Sequence, residues 1–260
     1  MLSVVIRTKN EEKELSFLLK NLTQRYATDI DEIIVLDNLS TDNTKAISKQ
    51  FNAKFVTIEN FSYGGSANLA AQTANNNIVV IFSAHCYPVS HDFFKLIIEK
   101  FKNRENELAG LRCIHFNRDY KLYIEGISAD TDYNGAGLMF ACSAFNRKVW
   151  EKFPFKQDIT TFEDKEWTKR VLANGYKIEL VPSIFCYHTK RNRKQKFFRF
   201  KKDVIGGYQL FHTEYTFQEA LKTFIIEMLG LFLKSFYEFI YIFKRMFFMM
   251  KFVLNKPKKF

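Results

Sequence analysis

Short apolar runs and helical stretches alternate along the first two thirds of the chain. Residues 2–6, 32–37, 53–58 and 79–82 are β-branched, apolar segments bounded by polar or turn-forming residues. Such runs predict strands buried on both faces. Between them, Leu15, Leu18, Leu19 and Leu22 recur at helical spacing behind Asn10, which is placed to cap that helix. A second helix is expected over residues 45–51. A third begins at Ala67, after a loop over residues 61–66 in which Gly64 and Gly65 permit a tight turn. Strand and helix alternating at this spacing predict βαβ units and a largely parallel sheet. Right-handed crossovers then bring the strand ends after Ile6, Asp37 and Phe82 to one edge.

Further on, the pattern predicts a helix over 91–101, a strand over 108–116, a strand over 137–142 and a short helix over 146–152 before Pro154. Residues 117–135 carry weak periodicity and predict nothing. A helix opens at 161–167 and runs to Ala173, with Gly175 as its stop. Strands are expected over 176–181 and 184–188, the second ending at His188 before Lys190, Arg191, Arg193, Lys194 and Lys196. The reading is an α/β fold with flanking helices, divided into a globular domain over 1–200 and a helical segment over 201–260.

Residues 217–254 form one helical pattern. Thr223, Glu227, Gly230, Lys234, Glu238, Tyr241 and Arg245 fall on one line, and Phe, Ile, Leu and Met make a broad apolar face. Lysines cluster toward the end. A narrow polar stripe, a wide apolar face and basic flanks suit a helix lying in a membrane interface. Packing on the globular domain or on a second subunit is the competing reading. No 18-residue stretch within residues 217–254 is free of charge, so a membrane-crossing helix is not expected there.

Composition changes this picture in two ways. The formal net charge is +11, with much of the excess after Thr189, which points to anionic partners. Cys86, Cys113, Cys142 and Cys186 show no CxxC spacing and sit beside apolar residues, as reduced, mostly buried thiols of a cytosolic protein would. Met1 leads at once into a strand with no basic leader, so no secretory signal is expected.

Ligands of open α/β sheets bind beyond the carboxyl ends of the strands. Three polar clusters stand there: residues 8–11, 37–42 and 83–85. Ser3-Val4-Val5-Ile6-Arg7-Thr8-Lys9-Asn10-Glu11-Glu12 followed by Ile34-Val35-Leu36-Asp37-Asn38-Leu39-Ser40-Thr41-Asp42 resembles the opening of a family 2 glycosyltransferase with the GT-A fold. Phe82-Ser83-Ala84-His85-Cys86-Tyr87-Pro88 stands where that family has its DxD segment. Glu163-Asp164-Lys165-Glu166-Trp167 resembles its ED-x-x-W motif. The ordered set spans about residues 2–190.

The resemblance implies transfer of a sugar from a nucleotide-sugar donor to an acceptor hydroxyl, with inversion. It implies donor nucleotide contacts from Thr8, Asn10, Glu11, Asp37, Asn68, Ser83 and Ala84. Asp164 becomes the general base, supported by Glu163, and Trp167 the acceptor-stacking residue. The diphosphate leaving group needs its growing charge neutralised, by a divalent cation such as Mn²⁺ or Mg²⁺ in this family. The chain departs from the pattern here, because Ser83 and His85 replace the two aspartates. Two arrangements answer this: His85 holds a transition metal together with His188, or Arg191, Arg193 and Lys194 carry the diphosphate by charge. A glycan or lipid-linked acceptor, synthesis of a surface or capsular polysaccharide or related glycan, and a peripheral place on the cytoplasmic face of the membrane complete the expectation. The competing reading is an inactive GT-A-like scaffold of a membrane glycan assembly complex. Nucleotidyl transfer is disfavoured, since no glycine follows the first strand, and a nucleic-acid partner is not expected. Oligomeric state stays open.

Overall fold

A computed structural model describes residues 1–187 and 191–259. It divides into two compact units, Met1–Phe211 and His212–Phe260, so the first unit extends past the expected division at 200.

The first unit opens with β1 (Ser3–Thr8), α1 (Glu12–Arg25), β2 (Glu32–Asp37), α2 (Thr44–Gln50), β3 (Lys54–Thr57), α3 (Tyr63–Thr73) and β4 (Ile78–Ser83). β3, β2, β1 and β4 lie side by side and parallel. Alternation along each strand fills two cores. Val4, Ile6, Val80 and Phe82 pack with Leu15, Leu18 and Leu22 of α1, whereas Val5, Val79 and Ile81 pack with Ala67, Ala70 and Ala71 of α3. A strand buried this way on both faces has no room for polar alternation, which is why the runs read as continuous apolar segments.

The second half is mixed. β5 (Cys86–Pro88), α4 (Phe93–Phe101), β6 (Leu108–Ile114), α5 (Asn117–Ile124), β7 (Cys142–Asn146), α6 (Arg147–Lys152), α7 (Glu163–Ala173), β8 (Lys177–Tyr187) and α8 (Arg193–Phe211) follow. The described strands form one sheet in the order β3-β2-β1-β4-β7-β6-β8-β5. β7 runs antiparallel to β4 and β6, and β5 antiparallel to β8. The sheet is therefore less parallel than expected.

Several elements differ from expectation. The strand expected over 137–142 begins only at Cys142, because the preceding segment turns back to meet α7. α3 starts at Tyr63, capped by the Ser62 hydroxyl, so Gly64 and Gly65 lie in its first turn rather than in a loop. A Cβ on Gly64 would overlap the Lys156 carbonyl, so glycine there serves a close backbone approach. Residues 177–187 form one strand through Pro182 rather than two. α8 begins before the helical segment expected over 201–260, because the aromatics and cations of its first half show no clean apolar stripe.

The second unit holds α9 (Phe217–Leu254), the range the pattern predicts. Thr216 and Glu219 close a reciprocal capping box at its start. Its apolar side chains are exposed, Phe232 by 72% and Phe247 by 62%. No helix among the described residues is long and apolar enough to cross a membrane.

Candidate active site

The parallel register brings the predicted clusters together. Thr8 pairs with Asp37 across β1 and β2, and Arg7 pairs with Ser83 across β1 and β4. Thr8 and Asp37 are 5% and 4% exposed. Asp37 Oδ2 accepts from the Ser40 N–H at 3.0 Å. Its Oδ1, like Thr8 Oγ1, has no hydrogen-bond partner among the described residues. Buried polar atoms are rarely left unpaired. Two such atoms on facing strand ends make a place for a hydrogen-bonding ligand.

Asn10 does not cap α1. It takes a left-handed conformation (φ 52°), and its side-chain oxygen accepts from the Thr41 N–H at 2.8 Å. The free N–H groups at the start of α1 are met from the other loop, where Asp42 Oδ2 accepts from the Glu12 N–H at 2.9 Å. Glu12 in turn accepts from the Asn43 N–H at 2.9 Å. Asp42 also takes the Thr44 N–H and hydroxyl, and these bonds hold its carboxyl below the usual range although burial opposes them. The two strand-end loops are thus laced to each other.

The acidic pair sits at the start of α7, where the helix N-terminus favours negative charge. Asp164 Oδ2 accepts from the Phe140 N–H at 3.0 Å, and Oδ1 from the Lys165 N–H at 2.8 Å. The Phe140 carbonyl receives Arg7 Nη2 at 2.8 Å and the Ser83 hydroxyl at 3.4 Å. Phe140 therefore connects the end of β4 to Asp164, through its carbonyl on one side and its N–H on the other. Glu163 is 4% exposed and lies 3.4 Å from Arg7 Nη1. Burial first, then the neighbouring Asp164, push its carboxyl well above the usual range, and Arg7 only partly opposes this. Burial likewise lowers the Lys165 ammonium to about 8, aided by Arg112. Sequence reasoning passed over Arg7. The signal was present, for a lone cation ending an apolar strand must find a buried partner.

The second histidine of the expected set, His188, lies outside the described residues. His85 Nδ1 lies 3.0 Å from both Glu11 carboxylate oxygens, and its ring packs edge-on to Tyr187 at 5.3 Å. Arg191 Nη2 donates to the Tyr187 hydroxyl at 3.0 Å, which brings that cation to the same strand end. Arg193 and Lys194 are exposed at the start of α8. No group of three histidine, cysteine or acidic side chains able to hold a metal occurs among the described residues. The Glu11 carboxylate at Nδ1 of His85 leaves its Nε2 as the nitrogen a cation would take, the usual arrangement of a metal-ligating histidine, so His85 and Glu11 are the described residues that would hold a divalent cation.

Three expected ligand contacts are corrected. Trp167 is fully buried against Phe145 and Phe155 and donates to the Phe153 carbonyl at 2.6 Å, so it packs the core and cannot stack on an acceptor. Asn68 is 5% exposed, and its amide bonds Trp150 Nε1 and both polar groups of the Phe155 backbone. Its oxygen is taken twice over and its amide is turned into the core, so it serves packing rather than a nucleotide. Ala84 is fully buried, with its N–H donating to the Arg7 carbonyl at 3.0 Å.

A second buried network was not anticipated. Asp119 lies between Arg112 Nη2 at 2.9 Å and His115 Nδ1 at 2.8 Å. Arg112 Nη1 and Lys165 Nζ both donate to the Gly137 carbonyl, each at 3.0 Å, which ties this network to α7.

A half-parallel, half-mixed sheet with ligand-ready strand ends and an acidic pair opening a helix defines an α/β transferase of the GT-A type. Residues 3–172 match glycosyl transferase family 2, and the chain belongs to that family and is a glycosyltransferase. It is 28% identical over 224 residues to a dolichyl N-acetyl-α-D-glucosaminyl phosphate 3-β-D-2,3-diacetamido-2,3-dideoxy-β-D-glucuronosyltransferase of Methanococcus voltae, covering 76% of this chain and 70% of the relative. A mannosyltransferase of Pyrobaculum calidifontis, solved with GDP-Man and Mn²⁺, superposes with TM-score 0.62 at 17% identity, over 83% of this chain and 65% of that one. Glucosyl-3-phosphoglycerate synthase of Mycobacterium tuberculosis, solved with Mn²⁺ and UDP-Glc, gives TM-score 0.62 at 16% identity, over 80% and 78%.

Proposed function

We propose that the chain moves a sugar from a nucleotide-sugar donor to an acceptor hydroxyl, inverting the anomeric centre. The observation that carries this reading is the strand-end edge where two unpartnered buried oxygens, on Thr8 and Asp37, stand next to the Arg7–Ser83 pair that bonds Phe140, the residue whose N–H orients Asp164. Thr8, Asp37 and the nearby Glu11 receive the nucleoside. The acceptor oxygen bonds to the anomeric carbon as the bond from that carbon to the diphosphate breaks. Asp164 takes the hydroxyl proton, and the nucleoside diphosphate leaves with the electron pair. Asp164 suits the role because two N–H bonds fix its carboxylate. Glu163, driven toward its neutral form, keeps a second negative charge from crowding it.

Charge on the leaving diphosphate is met in this reading by Arg191, held at the strand end through Tyr187, with Arg193 and Lys194 following. Structural neighbours carry Mn²⁺, so a cation dependence is tested rather than built into a step. The apolar and basic α9 supports a peripheral position on the cytoplasmic face of a membrane. A lipid-linked acceptor fits that position and the dolichyl phosphate acceptor for which the Methanococcus relative is named, within synthesis of a surface polysaccharide or related glycan.

Thermal unfolding with UDP, GDP, CMP or dTDP, each with Mn²⁺, Mg²⁺ or EDTA, tests donor binding. A nucleotide at a hundredfold its Kd adds roughly 2.7 kcal/mol of stability. Stabilisation that survives EDTA favours the cationic diphosphate site, and stabilisation needing Mn²⁺ favours a metal. Asp164→Asn should abolish turnover and keep nucleotide binding. Full turnover by that variant rules out the assigned base. The replaced aspartates favour one other reading, an inactive scaffold, which predicts neither nucleotide binding nor transfer.

A further inference from the structure

The exposed face of α8 combines cations with aromatic side chains. Residues 193–202 carry six cations and no acidic side chain, interleaved with Phe197, Phe198 and Phe200. The three phenylalanines are 61%, 53% and 60% exposed. At about 100° per residue, Phe197, Lys201 and Tyr208 share one line, nearly opposite the docked Gly206. Lys201 and Lys202 lie over the Phe197 and Phe198 rings at 5.2 and 5.6 Å. Solvated helix faces do not hold several exposed aromatics among cations, whereas interfacial helices do.

The opposite face of α8 is firmly seated. A Cβ on Gly206 would overlap Thr161 and stand 2.9 Å from the Phe162 ring. The Arg199 guanidinium, paired with Asp203 at 2.8 Å, lies over the Phe162 ring at 5.9 Å. Gln209 accepts from the Thr160 N–H at 3.0 Å. α8 is therefore fastened to the residues directly before Glu163 and Asp164.

We propose that α8 lies in the plane of an anionic membrane, with Phe197, Phe198 and Phe200 at the acyl boundary and the lysines among the headgroups. The excess of cations selects an anionic lipid surface over a neutral one. The segment that leads into the candidate base then lies directly behind the membrane-bound helix. That suits an acceptor whose sugar is held at the bilayer surface. The inference rests on the membrane-side reading above and adds that the catalytic unit carries its own contact.

The test uses the full chain carrying Phe200→Trp, with vesicles containing phosphatidylserine and bromine-labelled acyl chains. Native Trp150 and Trp167 are buried and give a constant background. A blue shift on vesicle addition, quenched by bromine, is expected. Lys201→Glu and Lys202→Glu should each weaken vesicle binding about fivefold or more at low salt. Sedimentation with vesicles without a Phe200→Trp response would assign membrane binding elsewhere and overturn the proposal. Emission already blue without lipid, and unquenched, means protein covers this face, which also overturns it. A response to single-stranded RNA and none to vesicles does the same. Nucleotide-dependent stabilisation, measured on the same protein, separates failure of this proposal from failure of the transferase reading.

Discussion

Arg7 and Glu163 stand 156 positions apart and meet at 3.4 Å inside the protein. The same guanidinium bonds the carbonyl of Phe140, the residue whose N–H bonds Asp164. A strand cation thus holds one acid directly and orients the other through a single residue, Phe140.

Removing that cation should separate chemistry from binding. Arg7→Met leaves Glu163 buried beside Asp164 without its partner, a change that typically costs about 3–5 kcal/mol when both groups were charged. A smaller loss is expected here, because Glu163 is already driven toward its neutral form. kcat should fall more than tenfold, roughly 1.4 kcal/mol, while KM for the donor changes little. Glu163→Gln, a neutral isostere, should be milder in denaturant unfolding than Arg7→Met. The reverse order would mean that Glu163 is ionised and needs the cation.

Asp37→Asn is expected to weaken nucleotide binding about tenfold or more, the cost of a mismatched buried hydrogen bond. Asparagine keeps an oxygen for the Ser40 N–H and replaces the unpartnered oxygen with a donor. Unfolding without ligand should change little. Titration calorimetry reads the first effect and urea denaturation the second. Equal affinity in both proteins would remove Asp37 from the donor site.

Asn68→Ala should behave in the opposite way. It strands Trp150 Nε1 and both backbone groups of Phe155 in the core. A loss of about 2–4 kcal/mol follows from unpaired buried polar groups. Nucleotide affinity of the folded fraction should be unchanged. Weaker binding with normal stability would return Asn68 to the ligand surface.

Asp119 gives a pH signature. Hydrogen bonds from His115 and the charge of Arg112 outweigh burial and hold its carboxyl down to about 2. Its unfolded value is near 3.9. A depressed carboxyl contributes stability that is complete above the unfolded value and disappears as pH falls through the folded one. The contribution is about 2 kcal/mol, present above pH ~5 and lost toward pH 2. Asp119→Asn should flatten that part of the stability curve. An unchanged slope below pH 4 would mean that Asp119 does not titrate as the structure implies.

The strands, their order along the chain and the edge where Thr8, Asp37 and Ser83 meet were legible in the sequence. Buried parallel strands must be continuous apolar runs, and crossovers in such sheets have one hand. The acidic pair at a helix start was legible for the same kind of reason, since local electrostatics favours it there. The amphipathic pattern of residues 217–254 likewise determined α9 to its ends.

Tertiary structure alone decided the rest. Whether Trp167 and Asn68 face a ligand or the core depends on what packs across from them, and no local pattern holds that information. The antiparallel placement of β7 depends on pairing between distant segments. α8 draws its stability from docking Gly206 and Leu210 rather than from periodicity, so its sequence reads only as a basic, aromatic tract. Arg7 was visible as an oddity, but Glu163 and Phe140 became its partners only when the chain brought them within 3.4 Å. Local propensity is written in neighbouring residues, whereas burial and charge pairing are properties of the closed chain.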